Sequence, residues 1–123
     1  MPDPRHASGR HAEALAAAHL AAAGCEILLC NYRRRLGELD IVARRDGVLI
    51  VAEVRTRASA AYGGAAASVT AAKQRRIVRA TQALLQRQPA LARLPVRFDV
   101  IVVRDVDGLH PAVEWIRHAF AAG

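Results

Sequence analysis

"GELDIVARRDGVLIVAEVRTR", residues Gly37 to Arg57, holds two apolar runs joined by Asp46-Gly47. An Asp-Gly pair between apolar runs is the strongest short hairpin signal a sequence carries, so "ELDIVAR" and "VLIVAEVRT" read as paired strands. A two-residue turn sets Arg45 against Val48. Counting outward sets Asp40 against Glu53 and Glu38 against Arg55, all on one face by side-chain alternation. Opposed residues on one face have Cβ atoms about 4.5–5.5 Å apart, and like charges there destabilise a sheet. Solvent, a nearby arginine or a divalent cation can compensate. The plain structural alternative is a solvated face with a Glu38–Arg55 cross-strand pair, and a one-residue slip of register would undo the alignment. The cation suits the geometry best, because Mg²⁺ binds through one or two carboxylates and keeps several waters. Two acids holding Mg²⁺ or Mn²⁺ beside a basic surface are what phosphodiester hydrolysis requires.

Outward from the hairpin, "HAEALAAAHLAAA" (His11 to Ala23) is rich in strong helix formers and is stopped by Gly24. Glu13, Ala16, Ala17 and Leu20 share one of its faces. Residues 1–10 read as a flexible tail, leaving 11–123 as a single domain. "CEILLCNYRR" is a strand turning at Leu36-Gly37. "ASAAYGGAAAS" is a small-residue loop able to lie over a site. A second helix runs from about Thr70 to Gln88, capped by Thr70 or Ser68 and ended by Pro89. Lys73, Ile77, Ala80 and Leu84 form its sheet-facing side. "VRFDVIVVRD" is a fourth strand. "AVEWIRHAF" reads either as strand or as a strand followed by a helical turn. The result is an α/β fold, a mixed sheet with an antiparallel hairpin flanked by helices. The second helix makes a crossover that permits a parallel pairing of the third and fourth strands.

A chain of 123 residues fits one core. No apolar run approaches the roughly 20 residues of a membrane helix. The start, "MPDPRHASGRHAEA", lacks the apolar middle of a signal peptide, so a cytoplasmic location is expected. Cys25 and Cys30 project to opposite faces of a strand, which argues against a disulfide between them. Lys73 is the only lysine among 18 basic residues, and the net charge of +7 favours a polyanionic partner, nucleic acid above all. The five histidines have neither metal-ligand spacing nor a neighbouring nucleophile, and no glycine-rich phosphate loop is present.

"GELD" (Gly37–Asp40), "EVRTR" (Glu53–Arg57), "AYGGAAASVTAAKQRRI" and "RFDVIVV" together resemble the YraN family of small bacterial proteins, from about His11 to Phe120. That family is assigned to the restriction-endonuclease-like, PD-(D/E)XK, superfamily. The resemblance implies a restriction-endonuclease-like core and a resolvase-like, Mg²⁺- or Mn²⁺-dependent cleavage of DNA. It makes Asp40 and Glu53 the metal-binding acids and matches Glu13 to a first-helix glutamate of the Holliday-junction-resolvase branch. Two departures stand out: Ala12 replaces a glycine, and Arg55 replaces the motif lysine. Arginine keeps the positive charge but cannot give up a proton. A lone lysine at the inner start of the second helix, Lys73, can supply part of the missing role. Snorkelling to solvent is its ordinary alternative.

Arg33, Arg34, Arg35, Arg57, Arg75, Arg76 and Arg79, with Arg44 and Arg45, are candidates for contacting phosphates. Tyr32 and Tyr62 can stack on bases or simply pack. Asp99 is expected to pair with Arg97 or with an arginine of a neighbouring strand, or else to serve as an outer-shell partner. Resolvase chemistry calls for a homodimer. The competing reading is a nucleic-acid-binding module that keeps the nuclease fold and is catalytically impaired by Arg55.

Overall fold

The computed structural model describes residues 4–57 and 69–122. Residues 58–68, with Tyr62 and Ser68 and expected to form a small-residue loop, lie outside the described residues. The order is α1 (Pro4–Ala22), β1 (Glu26–Arg34), β2 (Gly37–Arg45), β3 (Val48–Arg57), α2 (Ala71–Arg87), α3 (Pro89–Ala92), β4 (Val96–Arg104) and β5 (Ala112–Phe120). The five strands form one mixed sheet in sequence order. β3 and β4 are parallel, and the other neighbours are antiparallel. No described helix is long and apolar enough to cross a membrane.

The central hairpin turns as its sequence dictates. Asp46 (φ 53°) and Gly47 (φ 74°) both take positive φ, the pattern of a type I′ turn whose twist matches that of the strands. Arg45 therefore faces Val48, and the register runs on to Ile41 opposite Ala52.

β3 and β4 are apolar on both faces because both faces are covered. On one side α1 lays Ala12, Ala16 and Leu20, spaced one turn apart, over Ile41, Ala43, Ile50, Ala52, Ile101 and Val103. The small alanines let α1 approach the sheet closely. On the other side Ile77, Ala80 and Leu84 of α2 cover Leu39, Val42, Leu49, Val51, Phe98, Val100 and Val102. Thr70 caps α2, its hydroxyl accepting a bond from the Lys73 N–H at 3.1 Å.

Three local features differ from the sequence reading, and a fourth settles what it left open. α1 begins at Pro4, inside the stretch expected as a tail. Its buried stripe centres on Ala12 rather than Glu13, which is only half-buried. Pro89 opens the one-turn α3 as well as ending α2, since its fixed φ suits a first helical position. The segment 112–120 is strand throughout, with no helical turn. Its pairing to β4 shifts between Phe98 and Val100, where His118 takes φ 53°. Asp99 fixes that irregularity. Its fully buried carboxylate accepts the Arg97 fork (2.9 Å to each oxygen), the Trp115 indole N–H (2.8 Å) and the His118 backbone N–H (2.9 Å).

Candidate functional site

The β2–β3 ladder stops at Ile41–Ala52, one step short of the expected Asp40–Glu53 pair. On its other side β2 pairs Ile41 with Cys30 and Leu39 with Tyr32, leaving Asp40 opposite Asn31 without a ladder pairing. Asn31 has φ 54°, a left-handed conformation that Asn tolerates better than most residues. Freed from the ladder, Asp40 reaches across the gap, and its Oδ2 accepts the Val54 backbone N–H at 2.8 Å. The two acids therefore meet through a splayed strand end rather than as a flat cross-strand pair. Glu38, expected opposite Arg55, is exposed and sits opposite Arg33 of β1.

Glu53, only 7% exposed, follows Leu49 and Val51 on the α2 side of β3. Its carboxyl hydrogen-bonds to that of Asp40. Lys73, the third residue of α2, brings its Nζ to 3.6 Å from Glu53 Oε2, an ion pair too long for a hydrogen bond. Glu13 approaches from α1, bonded to Asp40 and to the Asn31 side chain and near Arg33. Glu13, Asp40, Glu53, Val54, Arg55 and Thr56 line an open cleft of about 310 Å³, with Gly9 and Ala12 leaving it room.

The electrostatics follow from this crowding. Burial, then the Asp40 carboxylate, pushes Glu53 up to about 8, against the opposing charges of Lys73 and Arg55. Glu13 is also raised, by burial and then Asp40, while Asn31 and Arg33 pull it down. Three atoms here are buried without a hydrogen-bond partner: Oε2 of Glu13, Oε2 of Glu53 and Nε of Arg55. Unpaired buried polar atoms are costly and demand an explanation. Glu13 Oε2 and Glu53 Oε2, the latter held only by its ion pair to Lys73, flank the Asp40 carboxylate, and hard carboxylate oxygens are the donors that Mg²⁺ or Mn²⁺ takes. The fit is of a definite kind. Among the described residues, no group of three or more His, Cys, Asp or Glu side chains is placed to hold a metal ion. The three acids form a row with Asp40 in the middle, so the unit offered is a pair plus water rather than a closed cage.

The basic residues divide by what they touch. Gly37 (φ 151°) lies so close to α2 that a Cβ there would sit 3.0 Å from the Arg76 carbonyl oxygen. This packing sets the Arg33–Arg35 turn against the helix that carries exposed Arg75, Arg76 and Arg79. Arg34 lies over the Tyr32 ring, 5.0 Å from its centroid. Arg57 donates to the Thr56 carbonyl at 3.1 Å. Arg44 and Arg45 pair with Glu26 (2.7 Å) and Asp46 (3.5 Å) on the hairpin side away from the acids. Both cysteines are free, and burial raises their thiols, so neither is a ready nucleophile.

The sequence reading missed Asn31 and the Val54 N–H. The available signal for the first was an asparagine interrupting an otherwise strand-like run. The second carries no side-chain signal.

A family model described as "Uncharacterised protein family UPF0102" matches residues 12–103. A UPF0102 protein of Alkalilimnicola ehrlichii is 45% identical, covering 98% of this chain and 92% of its own length. One of Paracidovorax citrulli is 50% identical, covering 95% and 84%. One of Xanthomonas campestris pv. campestris is 45% identical, covering 98% and 96%. The chain belongs to the UPF0102 family.

Proposed function

We propose that this chain is a cytoplasmic nucleic-acid-binding protein with a restriction-endonuclease-like core and a Mg²⁺- or Mn²⁺-dependent, resolvase-like endonuclease centre acting on DNA. The observation that carries the reading is the apposition of Asp40 with a buried Glu53 whose Oε2 lacks a hydrogen bond and stands 3.6 Å from Lys73 Nζ. Asp40 and Glu53 would hold the cation, with Glu13 beside them. When bound, the cation polarises the phosphate and lowers the pKa of a coordinated water. The chain's own residues do the rest. The Val54 N–H fixes the Asp40 carboxylate. Arg55 brings positive charge to the cleft where phosphate oxygens gain negative charge, and Lys73 adds its charge from behind Glu53, on the α2 side. The Arg33–Arg35 turn and the α2 arginines contact the backbone on either side. Cutting two strands requires two such centres, hence a homodimer on its substrate.

A second reading, a catalytically impaired nucleic-acid-binding module, is favoured by one residue. Arg55 stands where a lysine is expected, and a guanidinium cannot relay a proton. Cleavage of duplex, flap, four-way and single-stranded DNA with Mn²⁺ decides between them. Wild type is expected to cut at least one of these and Glu53→Ala to cut none. Salt-dependent binding without cleavage would leave the second reading. Given cleavage, Lys73→Ala and Arg55→Ala apportion the cationic role. An unchanged rate in the former would remove Lys73 from it.

A further inference from the structure

We infer that Asn31 is a positioning residue for the carboxylate row, opening the β1–β2 ladder opposite Asp40 while its side chain holds Glu13. The inference rests on the reading of that row as a cation site.

Leu29–Val42, Cys30–Ile41, Tyr32–Leu39 and Arg33–Glu38 are all paired, and the position missing from this run is Asn31–Asp40. Asn31 is also the residue of this stretch with positive φ. A left-handed residue turns its own peptide groups out of line with the ladder, so the interruption and the conformation are one feature. β2 responds by changing phase. Ile41 and Ala43 face α1 while Val42 faces α2, yet Leu39 also belongs to the α2-side core. Strict alternation would place Leu39 with Ile41. The step out of phase falls at Asp40, and it leaves the Asp40 carboxylate free to accept from Val54 of β3 rather than lie on either face.

The residue type matches both requirements. Glycine would take the conformation but offers no side-chain donor. Aspartate tolerates it but would set a third negative charge beside Glu13 and Asp40. Most other residues pay for left-handed backbone. Asparagine alone combines the tolerance with a neutral amide whose N–H can donate to Glu13.

The test compares Mn²⁺ binding by titration calorimetry in wild type and Asn31→Gly, using the full chain, with the thermal midpoint followed in parallel. Glycine keeps the backbone conformation, so the midpoint is expected to hold within a few degrees. Loss of the amide is expected to weaken Mn²⁺ by about tenfold or more, the usual effect of removing a group that orients a ligand. Equal affinity in the two proteins overturns the inference. A second measurement needs no metal. The Asn31 side-chain amide resonances are expected to shift when Glu13→Ala removes their acceptor, and unchanged resonances overturn the inference equally. A wild type that binds no Mn²⁺ sinks the cation-site reading instead, and the amide resonances still decide whether Asn31 holds Glu13.

Discussion

Glu53 and Asp99 are two acids in adjacent, parallel, almost wholly apolar strands, one step apart in register. Asp99 has no exposed surface and receives four hydrogen bonds, two of them from a charged guanidinium. In return it raises the pKa of Arg97. Glu53 is nearly as buried, yet it shares a hydrogen bond with another carboxyl, and its Oε2 has no hydrogen bond, only the 3.6 Å ion pair to Lys73. A chain able to satisfy Asp99 so fully has the means to satisfy a buried acid. Glu53, one strand away, keeps only the Asp40 carboxyl and a 3.6 Å ion pair to Lys73, the contrast that motivates the proposed cation site. Asp99 is architecture, tying the edge strand β5 to the sheet.

The sharpest way to break that contrast is to delete each acid in turn and measure folding free energy by urea unfolding. Asp99→Ala strands the Arg97 guanidinium and frees the Trp115 and His118 donors. It is expected to cost about 3–5 kcal/mol, the range for removing one member of a buried pair. Glu53→Gln swaps a carboxyl that is largely protonated at neutral pH for a neutral amide of the same shape. It should leave stability within about 1 kcal/mol, since replacing like with like in shape removes little. Equal losses in the two variants would make Glu53 a structural acid and end the comparison.

The next effect is set by the Glu53 proton, for whose oxygens the proposed cation would compete. Glu53 releases its proton at about 8 in the folded chain, against an ordinary 4.5. Between those values the folded state holds a proton that the unfolded state has lost. Stability therefore falls as pH rises through that window, by at most about 1.4 kcal/mol per pH unit, and levels off above it. Glu13, shifted in the same direction, adds to the slope. Mn²⁺ should reverse the trend, because a cation replaces the proton and binds more tightly as pH rises. At a hundredfold excess over its Kd, Mn²⁺ should add about 2.7 kcal/mol. Calorimetric melts from pH 5 to 9, with and without Mn²⁺, check both halves. The expected pattern has Glu53→Gln losing much of the slope and Asp40→Ala losing the Mn²⁺ gain. A pH-independent wild type would contradict it.

The contrast also explains what could be read in advance. Asp46-Gly47 dictates its own turn, and the turn dictates the register from Arg45–Val48 to Ile41–Ala52, so the hairpin and the approach of the acids are local information. Thr70 and the Ile77, Ala80, Leu84 spacing likewise declare α2 and its buried face. What stays hidden is tertiary. Whether Asp40 continues the ladder or captures the Val54 N–H depends on Asn31 turning left-handed on another strand. Whether residues 112–120 finish as strand depends on Asp99 gathering Trp115 and His118. Glu13 reaches the site from a helix distant in sequence, and only a family resemblance pointed to it. Lys73 was legible for a simpler reason, a single lysine at the sheet-facing start of a helix.

Lys73 provides the smallest and most discriminating effect. Its ammonium, about one-third exposed, stands 3.6 Å from Glu53, and ion pairs open to solvent contribute about 0–1 kcal/mol. Lys73→Met should accordingly change folding free energy by less than about 1 kcal/mol, a negligible loss beside that of Asp99→Ala. Lys73 also opposes the rise of Glu53, so its removal should move the Glu53 midpoint further above about 8. Side-chain carboxyl NMR measures that shift directly. A midpoint that moves while stability does not would separate electrostatic tuning of the site from support of the fold. A midpoint that stays put would mean that burial and Asp40 alone set Glu53, leaving Lys73 an ordinary solvated lysine at a helix start.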